Sequence, residues 1–178
     1  MTNYRRYYVP GGSYFFTVAL VDRRSDALVR HVDHLRAAFR VVMRDFPFEM
    51  PAVVIMPDHL HCIWTLPQGD TAYPQRWRRI KAGFSRCVGD LLPPSASRIS
   101  KGERGVWQRR YWEHALRDEQ DFSRHVDYIH RNPLKHGLVS CVANWPLSSF
   151  HRYVAAGIYP PDWCGVDEGE LRCAAWIE

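Results

Sequence analysis

The stretch Ala52–Leu66 reads AVVIMPDHLHCIWTL. Two apolar runs flank Pro57-Asp58, a turn pair, so Ala52–Met56 and His59–Leu66 form an antiparallel hairpin, ended by Pro67. Side chains alternate along a strand, so His59 and His61 point to one face and Leu60 enters the core. Two imidazoles on one rigid strand make half of a metal site, although two ordinary polar strand residues would show the same spacing. A histidine-triad nucleotide hydrolase would need a third alternating His, and Ile63 stands there. Cys62 should face away from the pair, which argues against a closed zinc site. An open site of mixed nitrogen and oxygen ligands, for magnesium or manganese with a phosphate completing the shell, fits better.

Working outward, Tyr14–Val21 is β-branched and aromatic after Pro10-Gly11-Gly12, and reads as a first strand. Leu28–Phe46 carries apolar residues at helical spacing and is stopped by Pro47. Tyr73–Leu92 is a second amphipathic helix. Residues 93–105 form a loop rich in Pro, Ser and Gly. A further strand lies within Val106–Arg117. Asp118 then caps a helix from about Glu119 to Asn132, closed by Pro133, and Leu134–Tyr153 is loop with a short helix. The order β-α-β-β-α-(β)-α gives an α+β domain: an antiparallel sheet with helices on one face.

The chain has 178 residues and a formal charge of +5. No apolar run approaches the ~18 residues that span a bilayer. The first residues lack the apolar segment of a secretory signal. Five cysteines without a CxxC pair disfavour a disulfide framework and suit a reducing cytoplasm. The charge is unevenly spread. Tyr73–Arg86 holds five bases and no acid, Arg98–Arg117 holds six bases and two acids, and Gly157–Glu178 holds five acids and one base. The middle of the chain is thus a candidate polyanion surface, and the tail its electrostatic opposite.

The second constellation is the helix around Tyr128. Tyr128 and Asn132 are one turn apart and share a face, with His125 three residues before. A packed tyrosine and a helix stop before proline would account for them individually. Beside the paired histidines a different chemistry opens. A phenol can attack a phosphodiester and hold the strand as a phosphotyrosine. Its pKa near ~10 leaves little phenolate at neutral pH, which a metal on the scissile phosphate would offset. No P-loop is present, and such a transfer needs no nucleotide cofactor.

MPDHLHCIW (56–64), RWRRIKAGFSR (76–86), GERGVWQRRYWEH (102–114), DFSRHVDYIHRNPLKHGLV (121–139) and WPLSSFHRY (145–153) together resemble the REP-associated tyrosine transposases. These belong to the HUH, single-tyrosine endonucleases related to insertion-sequence transposases. The resemblance implies a ferredoxin-like antiparallel sheet with flanking helices, as one domain over residues 1–156 with an acidic tail over 157–178. It implies His59 and His61 as the metal pair, Tyr128 as nucleophile and Asn132 as third ligand, where insertion-sequence relatives commonly carry Gln. It further implies Mg²⁺ or Mn²⁺, a single-stranded DNA hairpin (a repetitive extragenic palindrome) as substrate, a 5′-phosphotyrosine intermediate, a monomer, and action at the nucleoid. For DNA contact the residues point to Arg78, Arg79 and Lys81 on one helix, and to Arg109 and Arg110 before the stacking pair Tyr111-Trp112. They also point to Arg5 and Arg6 in the basic, aromatic N-terminal segment. The acidic tail could fold over the basic groove or stay solvated. Two other readings share the fold: a palindrome-binding protein that does not cut, and a replication-initiator nickase.

Overall fold

The computed structural model describes residues 8–89, 91–92 and 105–165. Arg5, Arg6, the loop over 93–104 and the tail beyond 165 lie outside the described residues. Four strands form one antiparallel sheet: β1 (Ser13–Ala19), β2 (Glu49–Ile55), β3 (His59–Thr65) and β4 (Trp112–Ala115), in the order β2-β3-β1-β4. That order, with a helical crossover between β1 and β2 and another between β3 and β4, is the ferredoxin-like arrangement. The hairpin over Pro57-Asp58 forms as its sequence specifies, with Ile55 opposite Leu60.

Alternation along β1 and β3 divides the core in two. Tyr14, Phe16, Val18, Leu60, Cys62 and Trp64 face α2 (Val32–Asp45) and α3 (Tyr73–Val88). Stacked Trp64 and Trp77, 4.2 Å apart, join sheet to helix. Arg76, one of the bases that charge alone assigned to the polyanion surface, is buried. It pairs with Asp70 at 2.6 Å and donates to the carbonyls of Phe46 and Pro47, closing the end of α2 onto α3.

Phe15, Ala52, Val54 and Ile63 line the opposite face and pack under α4 (Glu119–Lys135), through Val126 and Ile129. Helices on one face, the expectation from element order, therefore describes only the two crossovers. The long helix after β4 covers the other side, because a sheet with Phe15, Val54 and Ile63 pointing outward cannot leave that face to water.

Two helix boundaries also differ from expectation. The span 28–46 is not one helix: α1 (Ala27–Arg30) precedes α2, separated at His31, and its Leu28 amide is tied to the Pro57 carbonyl in the hairpin turn. α4 runs through Pro133. A proline loses one helical hydrogen bond, which is tolerable in a last turn. The true stop is Gly137, at φ 67°, where Leu138 N donates to Pro133 O and Gly137 N to Leu134 O in a Schellman closure. Asp118 caps the start as read, accepting from Asp121 N at 2.8 Å.

Residues 147–149 extend the β2 edge, and α5 (Phe150–Ala155) follows. Within 157–165 two rings anchor an otherwise mostly exposed segment: Tyr159 and Trp163 stack with Phe150 and Tyr153, and Tyr159 hydrogen-bonds Asp127. His130 is fully buried among these rings, with Nε2 2.8 Å from Ser149 Oγ and no partner for Nδ1. Burial, helped by Arg152 and His151, holds its pKa down to about 3. The unfolded chain takes up that proton near ~6.5 and the folded one does not. This contribution to stability is complete above pH 6.5 and declines as pH falls toward 3. Urea unfolding should show about 2 kcal/mol lost at pH 5 relative to pH 7.5 from this residue, a component missing in His130→Gln.

Candidate active site

The strand β3 is central, so its residues are buried on both faces; His59 and His61 are 2% and 1% exposed. Their rings lie 4.9 Å apart on the α4 side of the sheet, and Cys62 faces the opposite core, as alternation requires. Each Nδ1 is held. His61 Nδ1 meets Thr17 Oγ1 at 2.8 Å, on the residue directly opposite in β1. His59 Nδ1 meets Asp58 Oδ1 at 2.8 Å, and the other oxygen of Asp58 is paired with Arg23. These contacts engage Nδ1 and leave Nε2 of each ring as the atom able to take a metal. Burial, reinforced by His59 and His136, keeps the His61 imidazole well below its ordinary pKa and therefore neutral, as a ligand must be. At Asp58 burial raises the pKa, but His59 and Arg23 outweigh it and hold the carboxyl ionised.

Helix α4 faces this pair with a row of residues at one-turn spacing. The half-buried Tyr128 ring stands edge-on to His61 at 5.2 Å and to Phe15 at 5.8 Å. The His136 ring stands over His59 at 5.3 Å. Asn132 lies one turn from each. It is fully buried, and neither its amide oxygen nor its nitrogen has a hydrogen-bond partner. An orphaned buried amide costs ~1–3 kcal/mol, so its retention beside two oriented imidazoles fits a bound cation. His59, His61 and Asn132 together offer two imidazole nitrogens and one amide oxygen, a donor set that could hold such an ion. Lys135 extends its ammonium over the Tyr128 ring, 5.7 Å from the centroid.

The bases nominated from charge are dispersed. Arg78 and Arg79 are exposed on α3, across the sheet from Tyr128, and Arg79 lies on the Phe46 ring at 4.4 Å. Lys81 donates to the Gln108 carbonyl at 2.6 Å and anchors the segment before β4. Arg109 and Arg110 are exposed. The stacking pair is partly occupied: Tyr111 packs against Phe16 and Trp77, and Trp112 meets Phe15 edge-on and stacks on His114.

Asp58, Arg23, Thr17, Lys135 and His136 stand around the histidine pair and Tyr128, and the motifs did not single them out. Asp58 adjoins His59 and could have been found there; Thr17 emerges only from the β1–β3 register. Asp58→Asn removes the charge and keeps the shape. Metal affinity, measured by Mn²⁺ calorimetry, should fall ~10–100-fold, with excess Mn²⁺ restoring function.

A paired-histidine strand at the centre of a ferredoxin-like sheet, crossed by a helix bearing a tyrosine, defines the HUH-type single-tyrosine nucleases. Comparison with known proteins agrees. The family model described as transposase IS200 like matches residues 12–132. A REP-associated tyrosine transposase of Escherichia coli K12 is 49% identical over 165 residues, covering 93% of this chain and 92% of that protein. A Haemophilus influenzae relative named for the same family is 44% identical over 177 residues, 97% of this chain and 98% of that protein. A solved structure of a REP-associated tyrosine transposase bound to a REP hairpin superposes with a TM-score of 0.83 at 48% identity, covering 96% of this chain and 95% of that one. The chain belongs to the REP-associated tyrosine transposases, within the IS200-like transposase family. Among the described residues no helix is long and apolar enough to cross a membrane.

Proposed function

We propose that this transposase cleaves and rejoins single-stranded DNA beside a hairpin-forming palindrome, through a 5′-phosphate carried on Tyr128. The observation that carries the reading is the Tyr128 ring set against His61, with the unpaired Asn132 amide one turn further along the same helix face. The Tyr128 side chain is half-buried, not enclosed by the core, and the relative solved with a REP hairpin supports the hairpin as partner.

His59, His61 and Asn132 would hold a magnesium or manganese ion, which when bound supplies Lewis-acid polarisation and alignment of the scissile phosphate. The Tyr128 oxygen attacks phosphorus and releases its proton; the bond from phosphorus to the 3′ oxygen breaks, and that oxygen takes a proton to leave a 3′-hydroxyl. A second 3′-hydroxyl attacking the phosphotyrosine reverses the sequence, so bond energy is conserved. Lys135 places positive charge beside the reacting phosphate, where a preorganised cation favours the transition state. Exposed Arg109 and Arg110 are available to the DNA backbone, whereas Arg78 and Arg79 could meet it only away from the nucleophile.

End-labelled hairpin oligonucleotides test the polarity. The 3′-labelled fragment should become protein-linked, and the 5′-labelled fragment should be released with an end that a polymerase extends. Tight hairpin binding with no linked fragment would support the binding-only reading instead.

A further inference from the structure

We propose that His114, Asp121 and His125 form a second metal site, for a borderline transition ion of the zinc class, on the flank of the nucleophile helix. His114 projects from β4 on the α4 side of the sheet, opposite Phe15 in register. Asp121 and His125 come from the first two turns of α4. The donor atoms of all three lie within 4.8 Å of one another. His114 Nε2 is 2.8 Å from Asp121 Oδ2, and His125 Nδ1 is 3.1 Å from Asp121 Oδ1. Adjacent ligands on one zinc ion, each at ~2.0–2.2 Å, are themselves about 3 Å apart. Both imidazole–carboxylate separations are of that size, each to a different oxygen of Asp121.

The donor set also discriminates. Two imidazole nitrogens with one carboxylate suit zinc, cobalt or nickel, whereas magnesium prefers oxygen alone. His125 is 2% exposed, and His114 and Asp121 are half-buried, which leaves the site reachable with a position open to solvent. Burial, with help from His114, keeps His125 below its ordinary pKa and so in the neutral form a ligand needs. His125 Nδ1 also lies 2.7 Å from the Asp121 carbonyl and donates to it, so an ion that takes Nδ1 shifts the ring proton to Nε2. The His114 and His125 rings stack at 4.9 Å and within 20° of parallel; binding turns the half-buried His114 ring toward the shared ion.

An ion here would tie the edge strand β4 to α4 less than one turn before Tyr128. It is separate from the His59–His61 pair: Phe15 stands between, its ring 4.8 Å from His125, 5.5 Å from His61 and 5.8 Å from Tyr128. Zinc at this position would thus stiffen the helix carrying the nucleophile without entering the reacting site.

The test uses the full chain, stripped of metal, with His59 and His61 both changed to Gln so that the other pair cannot bind. Zn²⁺ titration by calorimetry should show one site and raise the melting temperature, and Co²⁺ should give visible absorption. Adding His114→Gln or Asp121→Asn should weaken binding at least ~10-fold. Circular dichroism checks that each variant folds. Should one of them unfold, the other and the Co²⁺ spectrum of the doubly substituted parent still decide. No Zn²⁺ uptake by that parent, or affinity unchanged by either further substitution, overturns the proposal.

Discussion

Tyr128→Phe should abolish the covalent protein–DNA adduct and leave hairpin affinity unchanged. The substitution removes one oxygen, and the ring keeps its edge-on contacts with His61 and Phe15. Nothing else on that face of α4 can form the same bond: Asn132 is an amide, and an imidazole would give a labile phosphoramidate in place of a phosphodiester. Loss of a nucleophile typically costs ~10⁴–10⁶-fold in rate. Fold stability should move by no more than about 1 kcal/mol, since a single net hydrogen bond is at stake. Gel-shift affinity, denaturing gels for the adduct and urea unfolding separate the three quantities. An adduct that persists in Tyr128→Phe removes this residue from the mechanism.

His61→Ala should be comparably damaging for a different reason. His61 is on the innermost strand pair, 1% exposed, and its removal deletes a proposed ligand and leaves the Thr17 hydroxyl buried without its partner. Mn²⁺ affinity should fall by more than the ~10–100-fold expected when only a residue supporting a ligand is lost. Stability should drop by about 2–4 kcal/mol, from the cavity and the orphaned hydroxyl together. The contrast with Asp58→Asn is diagnostic: high Mn²⁺ should recover that variant's cleavage and not that of His61→Ala. Equal recovery of both would mean that His61 is not a ligand.

Much of this was legible from residues alone, and the reasons are local. Pro57-Asp58 between two apolar runs specifies a hairpin whatever surrounds it, and period-two alternation puts His59 with His61 and turns Cys62 away. Tyr128 and Asn132 share a face because both lie well inside one helix. What the sequence left open depends on distant partners. Thr17 meets His61 only through strand register, 44 residues apart in the chain. The second helical layer was missed because Phe15 and Ile63 were read as strand formers and not as a face needing cover. Pro133 looked like a stop, and Gly137, the residue that ends α4, carried the better signal because its positive φ suits glycine. Charge was the weakest guide. Arg76 and Lys81 belong to the same basic run as Arg78 and Arg79, yet Arg76 holds Asp70 and two carbonyls, and Lys81 holds the Gln108 carbonyl. A cation in a basic segment has no preferred destination until the packing supplies an acceptor.

The proposed reaction puts the DNA on one tyrosine, positioned beside a histidine pair. Its most direct measurement is mass spectrometry of the protein after incubation with a single-stranded palindrome hairpin and Mn²⁺, with nuclease trimming and proteolysis to locate the modified peptide. The expected result is a nucleotide phosphate on Tyr128, formed only with the divalent ion and absent after chelation. A nucleotide on another residue, or none despite tight hairpin binding, would contradict it.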